Sequence, residues 1–376
     1  MKVIQVNKWY YPHIGGVEKH VKDVAETLAP KVDMEVLVAN NSRGRINETI
    51  NGVKITRVPS WSVIRSAPFA PGFYSAIKQS SADIYHLHFP NPIGELAYLA
   101  AGAPGKLVLT YHCDIIRQKL LRRVYRPFLR KLLKRADTIM VSSPNIIKSS
   151  PWLQSVSEKC QVIPFGIDVK RFQLNDDISV QAKDIRESFR SPLILFLGRL
   201  IYYKGINFLI EAMKTVDAQL IIAGEGSLEH ELQQQALELG ISDRIHFIGS
   251  VSEKDLSAYY YASDLFVLPS TEESEAFGFV QLEAHTCGVP VVSTNLPTGV
   301  PYANLDKFTG LIVPPADSQS LASAINRLLK DDIFRHKLGK QAKKRAEDSF
   351  SLEAQGKAVL KIYRETLRSP GPGKQS

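Results

Sequence analysis

LILFLGRLIYYKGINFLIEAMKTVDAQLIIAG (residues 193–224) carries the reading that decides the fold. Its two apolar runs, LILFLGR (193–199) and AQLIIAG (218–224), flank a stretch with helical spacing. Each run is short enough to be a strand buried on both faces, and strand, helix and strand in that order predict a parallel sheet covered by helices. The pattern continues through RIHFIGS (244–250), LFVLPS (265–270), PVVST (290–294) and GLIVP (310–314). It also occurs upstream, in KVIQV (2–6), a helix from Gly16 to Leu28, MEVLVA (34–39), VKITRV (53–58), DIYHLH (83–88), KLVLTYH (106–112) and DTIMVSS (137–143).

A chain of 376 residues exceeds one ordinary core, so two domains are expected. VIPFGIDVKRF (162–172) carries Pro and Gly, and a polar stretch follows it up to Ser191. The boundary is therefore set there, giving a first domain over 1–170 and a second over 171–350. A helix over 351–368, with Ala354, Ala358, Val359, Ile362 and Tyr363 on one stripe, is expected to pack back on the first domain. The tail SPGPGKQS (369–376) reads as disordered, and no internal repeat is visible.

With 44% hydrophobic and 23% charged residues, the composition is that of a soluble globular enzyme. No run of about 18 apolar residues is present, and the apolar stretch in MKVIQVN is too brief for a signal-peptide core, so a cytoplasmic location is expected. Cys113, Cys160 and Cys287 are far apart and never paired as CxxC, which argues against disulfides or a thiolate zinc site. The net charge of +9 is local: nine basic residues between Arg117 and Arg135, with no acid among them, account for it. Such a concentration asks for a local anionic partner.

Arg199 and Lys204 in GRLIYYKG follow a strand, and a guanidinium fork with an ammonium at that edge of an α/β sheet suits a diphosphate. Two solvated surface cations explain the fragment equally well. SEAFGFVQLEAHTCGVPVV places Glu275 and Glu283 eight residues apart around a turn that should open a helix between Phe277 and Val280. Amides exposed near Gly278 would form an anion site, and the flanking carboxylates would accept hydrogen bonds from sugar hydroxyls.

GGVEKH (15–20), TYHCD (110–114), PFGID (164–168), GRLIYYKG (198–205), the two glutamates at 275 and 283, and TGLIVPP (309–315) occur in the order found in family-4 retaining glycosyltransferases, which the chain resembles over nearly its whole length. The resemblance implies an α/β GT-B architecture, two Rossmann-like domains facing each other across a cleft. It implies that Gly15 and Gly16 cap a donor diphosphate, that Arg199 and Lys204 bind it, that Glu275 holds the transferred sugar and Glu283 the ribose. It also places Phe277, Gly278, Phe279, Val280 and the backbone around Val251 at the donor, and His112 against the donor sugar. The implied reaction moves a hexose from a UDP- or GDP-sugar to a glycan or lipid-linked acceptor by front-face attack, with the departing phosphate taking the acceptor's proton.

His112 could instead join His86 and His88 in a three-histidine metal site, since HxH on a strand points both rings to one face. Against this, no DxD triplet is present to hold a metal on a diphosphate, and no metal or other cofactor is expected. GEGSLE (224–229) imitates a dinucleotide fingerprint but has Glu229 where the third glycine belongs, which disfavours a dehydrogenase. A nucleotide-sugar epimerase and a non-catalytic nucleotide-sugar-binding protein would share the same fold.

Between Ile116 and Leu133 apolar residues recur at helical spacing among the cations, with Pro127 placed to kink or divide the helix. A helix with a solvated basic back is the plain reading. The favoured one is a membrane-surface element whose Arg122, Arg123, Arg130 and Lys131 attract anionic lipid, making the protein peripheral on the inner face of the cytoplasmic membrane. Nucleic acid is not expected as a partner, because no binding motif accompanies the charge.

Overall fold

The computed structural model describes residues 1–13, 15–64, 67–114, 119–189 and 192–369, with backbone only at 63, 64, 67 and 119–124. The chain forms two compact units, one of Met1–Gly166 with the segment from Leu352 onward, the other Ile167–Ser351.

In the first unit the strands are β1 (Lys2–Val6), β2 (Asp33–Ala39), β3 (Ile46–Ile50), β4 (Val53–Val58), the short pair β5 (Ser62–Ile64) and β6 (Ala67–Phe69), β7 (Ile84–Phe89), β8 (Lys106–Tyr111), β9 (Thr138–Val141) and β10 (Cys160–Val162). Its first helices are α1 (Gly16–Leu28), α2 (Gly72–Gln79), α3 (Pro92–Ala101), α4 (Lys119–Arg135) and α5 (Pro144–Ser149). The main sheet runs β10-β9-β8-β7-β1-β2-β4-β3 and is parallel except at its β3–β4 edge. Strand β3 was not legible in the sequence. INETI has little apolar content, and it is held by the Asn51-Gly52 turn, whose positive φ angles of 49° and 80° suit a tight hairpin.

The second unit has β11 (Leu193–Leu197), β12 (Gln219–Ala223), β13 (Ile245–Gly249), β14 (Leu265–Leu268), β15 (Val291–Thr294) and β16 (Gly310–Val313). Its helices are α6 (Asp176–Phe189), α7 (Ile206–Ala212), α8 (Glu229–Glu238), α9 (Leu256–Ala262), α10 (Phe279–Thr286), α11 (Val300–Ala303), α12 (Ser318–Lys330) and α13 (Asp332–Phe350). All six strands are parallel, in the order β13-β12-β11-β14-β15-β16. Ile194, Phe196, Leu220, Ile222, Val267 and Val292 are fully buried, as sheets covered on both faces require. The two parallel-sheet α/β domains expected from the apolar runs are present.

In both sheets the strand order reverses direction, between β1 and β7 in the first and between β11 and β14 in the second. Loops leaving the carboxyl ends of strands on either side of such a reversal go to opposite faces of the sheet and leave a crevice, the usual ligand position in open α/β sheets. The last helix, α14 (Leu352–Arg368), packs on α1 within the first unit. Gly356 permits the approach, since a Cβ there would press on Thr27.

Helix α4 continues through Pro127, so the proline does not divide it. It is fastened to α3 by Glu95, whose fully buried carboxylate accepts hydrogen bonds from the Tyr125 hydroxyl and the Asn91 amide. Among the described residues no helix is long and apolar enough to cross a membrane.

Burial raises the Glu95 carboxyl from 4.5 to about 7, against the pull of the hydrogen bonds from Tyr125 and Asn91. The folded chain therefore holds a proton that the unfolded chain releases between those values. The favourable contribution is complete below the unfolded value and is lost as pH rises through 7. Denaturant titrations of wild type and Glu95→Gln should diverge accordingly: between about pH 8 and 5 the wild type should gain up to about 3 kcal/mol relative to the variant. A constant difference across that range would show that burial does not raise the Glu95 carboxyl in the folded protein.

Candidate active site

At the reversal of the second sheet, β11 ends at Leu197, and Gly198 hands the chain to Arg199 and a 3-10 turn, Tyr202–Lys204. Gly205 follows with a left-handed φ of 65°, and a Cβ there would collide with the Pro269 carbonyl beyond β14. The glycine therefore lets the two loops touch. Lys204 Nζ lies 2.5 Å from Glu275 Oε2, and Ser270 Oγ donates to the same oxygen at 3.1 Å. Both charged residues are 8% exposed. Neither charge could be buried alone at tolerable cost; each is held in place by the other. Arg199 is exposed, and its guanidinium donates to the Tyr203 hydroxyl at 3.3 Å.

The GEGSLE segment has a packing explanation. A Cβ on Gly224 would strike the Gly198 carbonyl and one on Gly226 the Leu200 carbonyl, so these glycines seat the loop after β12 against the loop carrying Arg199.

Helix α10 opens at Phe279 behind Gly278, whose φ of 72° and contact with Leu268 leave no room for a side chain. Among the described residues no side chain caps this helix start. Glu283, on its second turn, accepts a hydrogen bond from the Tyr260 hydroxyl at 2.9 Å. Burial, then the Glu283 charge, hold that phenol well above its ordinary range, so it stays a donor. Val280 is half-buried, and its carbonyl accepts a second Tyr260 contact at 3.1 Å. The Phe277 side chain is core, 2% exposed, so any ligand contact there falls to its backbone. Val251 follows β13 and lines a pocket of about 390 Å³ with Ile248 and Tyr259.

In the first unit Gly15 stands at the start of α1 in an extended conformation, and α1 begins at Gly16 without a side-chain cap. The neighbouring Ile14 lies outside the described residues. One turn into α1, His20 meets His88 from β7 and His112 from the end of β8, all three 5% exposed or less. Their ligand-capable nitrogens lie within 4.8 Å of one another, so the histidines that converge are these and not the trio with His86. His86 is engaged elsewhere, with Tyr363 Oη and Thr110 Oγ1, each at 2.7 Å.

The hydrogen bonds assign the protons. Gln5 Oε1 can only accept, so His88 Nε2 carries the proton at 3.0 Å. A neutral His88 then accepts at Nδ1, and His112 Nε2–H donates to it at 3.2 Å. His112 Nδ1 is left as a lone-pair acceptor. Burial and the neighbouring rings lower both rings well below the ordinary imidazole range, with Lys8 adding to the effect at His112, and burial takes His20 down to about 3. A metal could take the three histidines only by displacing the His88–His112 bond.

Gln5, His20, Ser270 and Tyr260 were not singled out from the sequence. Gln5 had a readable signal, a polar residue in the middle of a strand buried on both faces, which needs a partner. The others depend on long-range proximity. In α4, Arg130 and Lys131 are exposed, whereas the side chains of Arg122 and Arg123 lie outside the described residues.

Compared with solved structures, the chain superposes on Anabaena HepE in complex with UDP with a TM-score of 0.79 at 20% identity, covering 97% of this chain and 100% of that one. The fold is thus that of the GT-B glycosyltransferases. Residues 14–171 match the model of Glycosyltransferase Family 4, and residues 177–345 that of Glycosyl transferases group 1. The O-antigen chain mannosyltransferase C of Escherichia coli is 30% identical over 98% of this chain and 100% of its own length. A D-rhamnosyltransferase of Pseudomonas aeruginosa is 31% identical over 93% of this chain and 92% of its own. The chain belongs to glycosyltransferase family 4.

Ring-nitrogen NMR of the histidines tests the proton assignment. His88 and His112 should remain neutral with the proton on Nε2 well below the ordinary imidazole range, because burial penalises the charged form of each ring. Protonation of either ring near the ordinary imidazole value, or a proton on His112 Nδ1, would contradict the chain of bonds from Gln5.

Proposed function

We propose that this chain transfers a mannose-type hexose, with retention of anomeric configuration, from a UDP- or GDP-sugar to a glycan or lipid-linked acceptor of cell-envelope synthesis. It does so without a divalent metal, at the inner face of the cytoplasmic membrane. The observation that carries the reading is the buried Lys204–Glu275 pair at the strand reversal of the second sheet. A nucleotide-sugar supplies what each member needs in place of the other: a diphosphate for the ammonium and hydroxyl donors for the carboxylate. The names of the mannosyl- and rhamnosyltransferase relatives support the sugar type.

In the reaction the bond between the anomeric carbon and the diphosphate oxygen breaks, and a bond to the acceptor oxygen forms on the same face. The acceptor's proton passes to the departing phosphate oxygen, so no side chain serves as base. Arg199, Lys204 and the amides at the start of α10 stabilise the growing charge on the diphosphate. Glu275 orients the sugar, and Glu283, steadied by Tyr260, holds the ribose. In the first unit the Gly15 and Gly16 amides are assigned to phosphate. His112, with Nδ1 as acceptor, is assigned to a hydroxyl of the sugar.

Calorimetric titration with the free nucleoside diphosphate separates the two glutamates. A hydrogen bond to a charged group contributes about 1.5 to 3 kcal/mol, so Glu283→Gln should bind nucleotide on the order of tenfold more weakly. Glu275→Gln should bind it almost as wild type while losing turnover, since its partner sugar is missing from the free nucleotide. Equal losses of nucleotide affinity in both variants would overturn the division between sugar and ribose.

A further inference from the structure

We infer that the first unit carries a separate binding groove for the phosphate headgroup of an anionic membrane lipid, between α4 and the 3-10 turn Gln154–Lys159. The inference rests on the proposed reading that the enzyme works at such a membrane.

Arg126, Arg130 and Lys134 follow one another at four-residue intervals, so they form a single stripe along α4. That stripe is one wall of a groove of about 980 Å³. Lys159 comes from the opposite wall, its Nζ held by the carbonyls of Lys134 at 2.7 Å and Ala136 at 3.0 Å, just where the helix ends. Trp152 supplies an apolar wall, with the Arg126 guanidinium over its ring at 5.7 Å, and Leu133 lies beneath. Among the described residues Glu158 is the one acid lining the groove, against four cations.

Like charges one helical turn apart weaken a helix, and no described acid lies within salt-bridge distance of Arg126, Arg130 or Lys134. Arg126 has the Trp152 ring to stack on, but no described acid offsets the repulsion along the stripe. A bound anion reverses its sign, turning mutual repulsion into shared attraction. Four cations above an apolar floor match an amphiphile, whose phosphate meets the rim and whose glycerol backbone meets Trp152 and Leu133. Outside the groove, the same helix exposes Pro127 and Phe128, the latter 42% exposed, together with Lys131. An aromatic among exposed cations is the composition of a helix lying in a membrane interface.

Arg130 and Lys131 are adjacent, equally charged and exposed, but only Arg130 lines the groove. The full chain, as wild type, Arg130→Ala and Lys131→Ala, is sedimented with vesicles of phosphatidylcholine alone and of phosphatidylcholine mixed three to one with phosphatidylglycerol. Wild type should bind only the anionic vesicles. Lys131→Ala should bind about fivefold more weakly, the loss of one charge near a surface, and Arg130→Ala about tenfold more weakly again, because it also loses a charge-assisted contact. Equal losses in the two variants would overturn the groove and leave the membrane reading standing, whereas a wild type that ignores anionic vesicles would overturn both. Soluble short-chain phosphatidylglycerol, titrated calorimetrically, should bind wild type and not Arg130→Ala. Inorganic phosphate binding as tightly as that lipid would overturn the assignment to a lipid headgroup.

Discussion

The ion pair of Lys204 and Glu275 is the contact on which the arrangement of the second unit's site depends. A parallel sheet covered by helices on both faces offers charged groups one natural outlet, the carboxyl ends of its strands. Both residues sit there, and both are nearly withdrawn from water. A lone buried ammonium or carboxylate would shift its proton or unfold its surroundings, so the loops after β11 and β14 must meet. Gly205, pressed against Pro269, and Ser270, donating to Glu275, are the local devices that make the meeting possible. Removing either charge strands the other, which makes the pair costly as decoration and useful as a pre-set site of opposite charges for a ligand that carries both phosphates and hydroxyls.

The first unit solves a related problem with neutral groups. Four histidines sit in or beside its strands with almost no solvent contact, so burial keeps each neutral and a charge on one would disfavour charge on the others. Hydrogen bonds from Gln5 through His88 to His112 instead fix which nitrogen holds each proton. The order of those protons, set by a glutamine oxygen on a neighbouring strand, gives His112 a defined acceptor face. The densest run of positive charge lies instead on α4, where Arg126, Arg130, Lys131 and Lys134 are exposed to water.

Much of this was legible in the residues because a buried parallel strand has a strong local signature. The six runs from LILFLGR to GLIVP each became a strand of the second sheet, and Gly278 stands at a helix start where only glycine fits. Features set by distant partners were harder to see. INETI became an edge strand through pairing with VKITRV and the turn between them, not through its own apolar content. His20 joined the histidines because α1 lies over the sheet, a fact that spacing within GGVEKH cannot express. Phe277 lies beside a proposed ligand position but turns its ring into the core, since the turn after it points the chain the other way. Pro127 left α4 intact, and the buried Tyr125–Glu95 contact two residues earlier shows the packing that holds the helix there.

Sugar transfer in the presence of a chelator tests the central claim, that protein cations and not a metal meet the diphosphate. Wild type and Lys204→Gln would be given UDP- and GDP-hexoses with a membrane-lipid extract as the acceptor source, and the anomeric proton of the product followed by NMR alongside nucleotide release. The account predicts transfer in EDTA with anomeric configuration kept, and a loss on the order of a hundredfold or more in Lys204→Gln, the scale seen when a charge-stabilising donor is removed. Transfer that stops in chelator and returns with magnesium, or a folded Lys204→Gln that works at the wild-type rate, would contradict it.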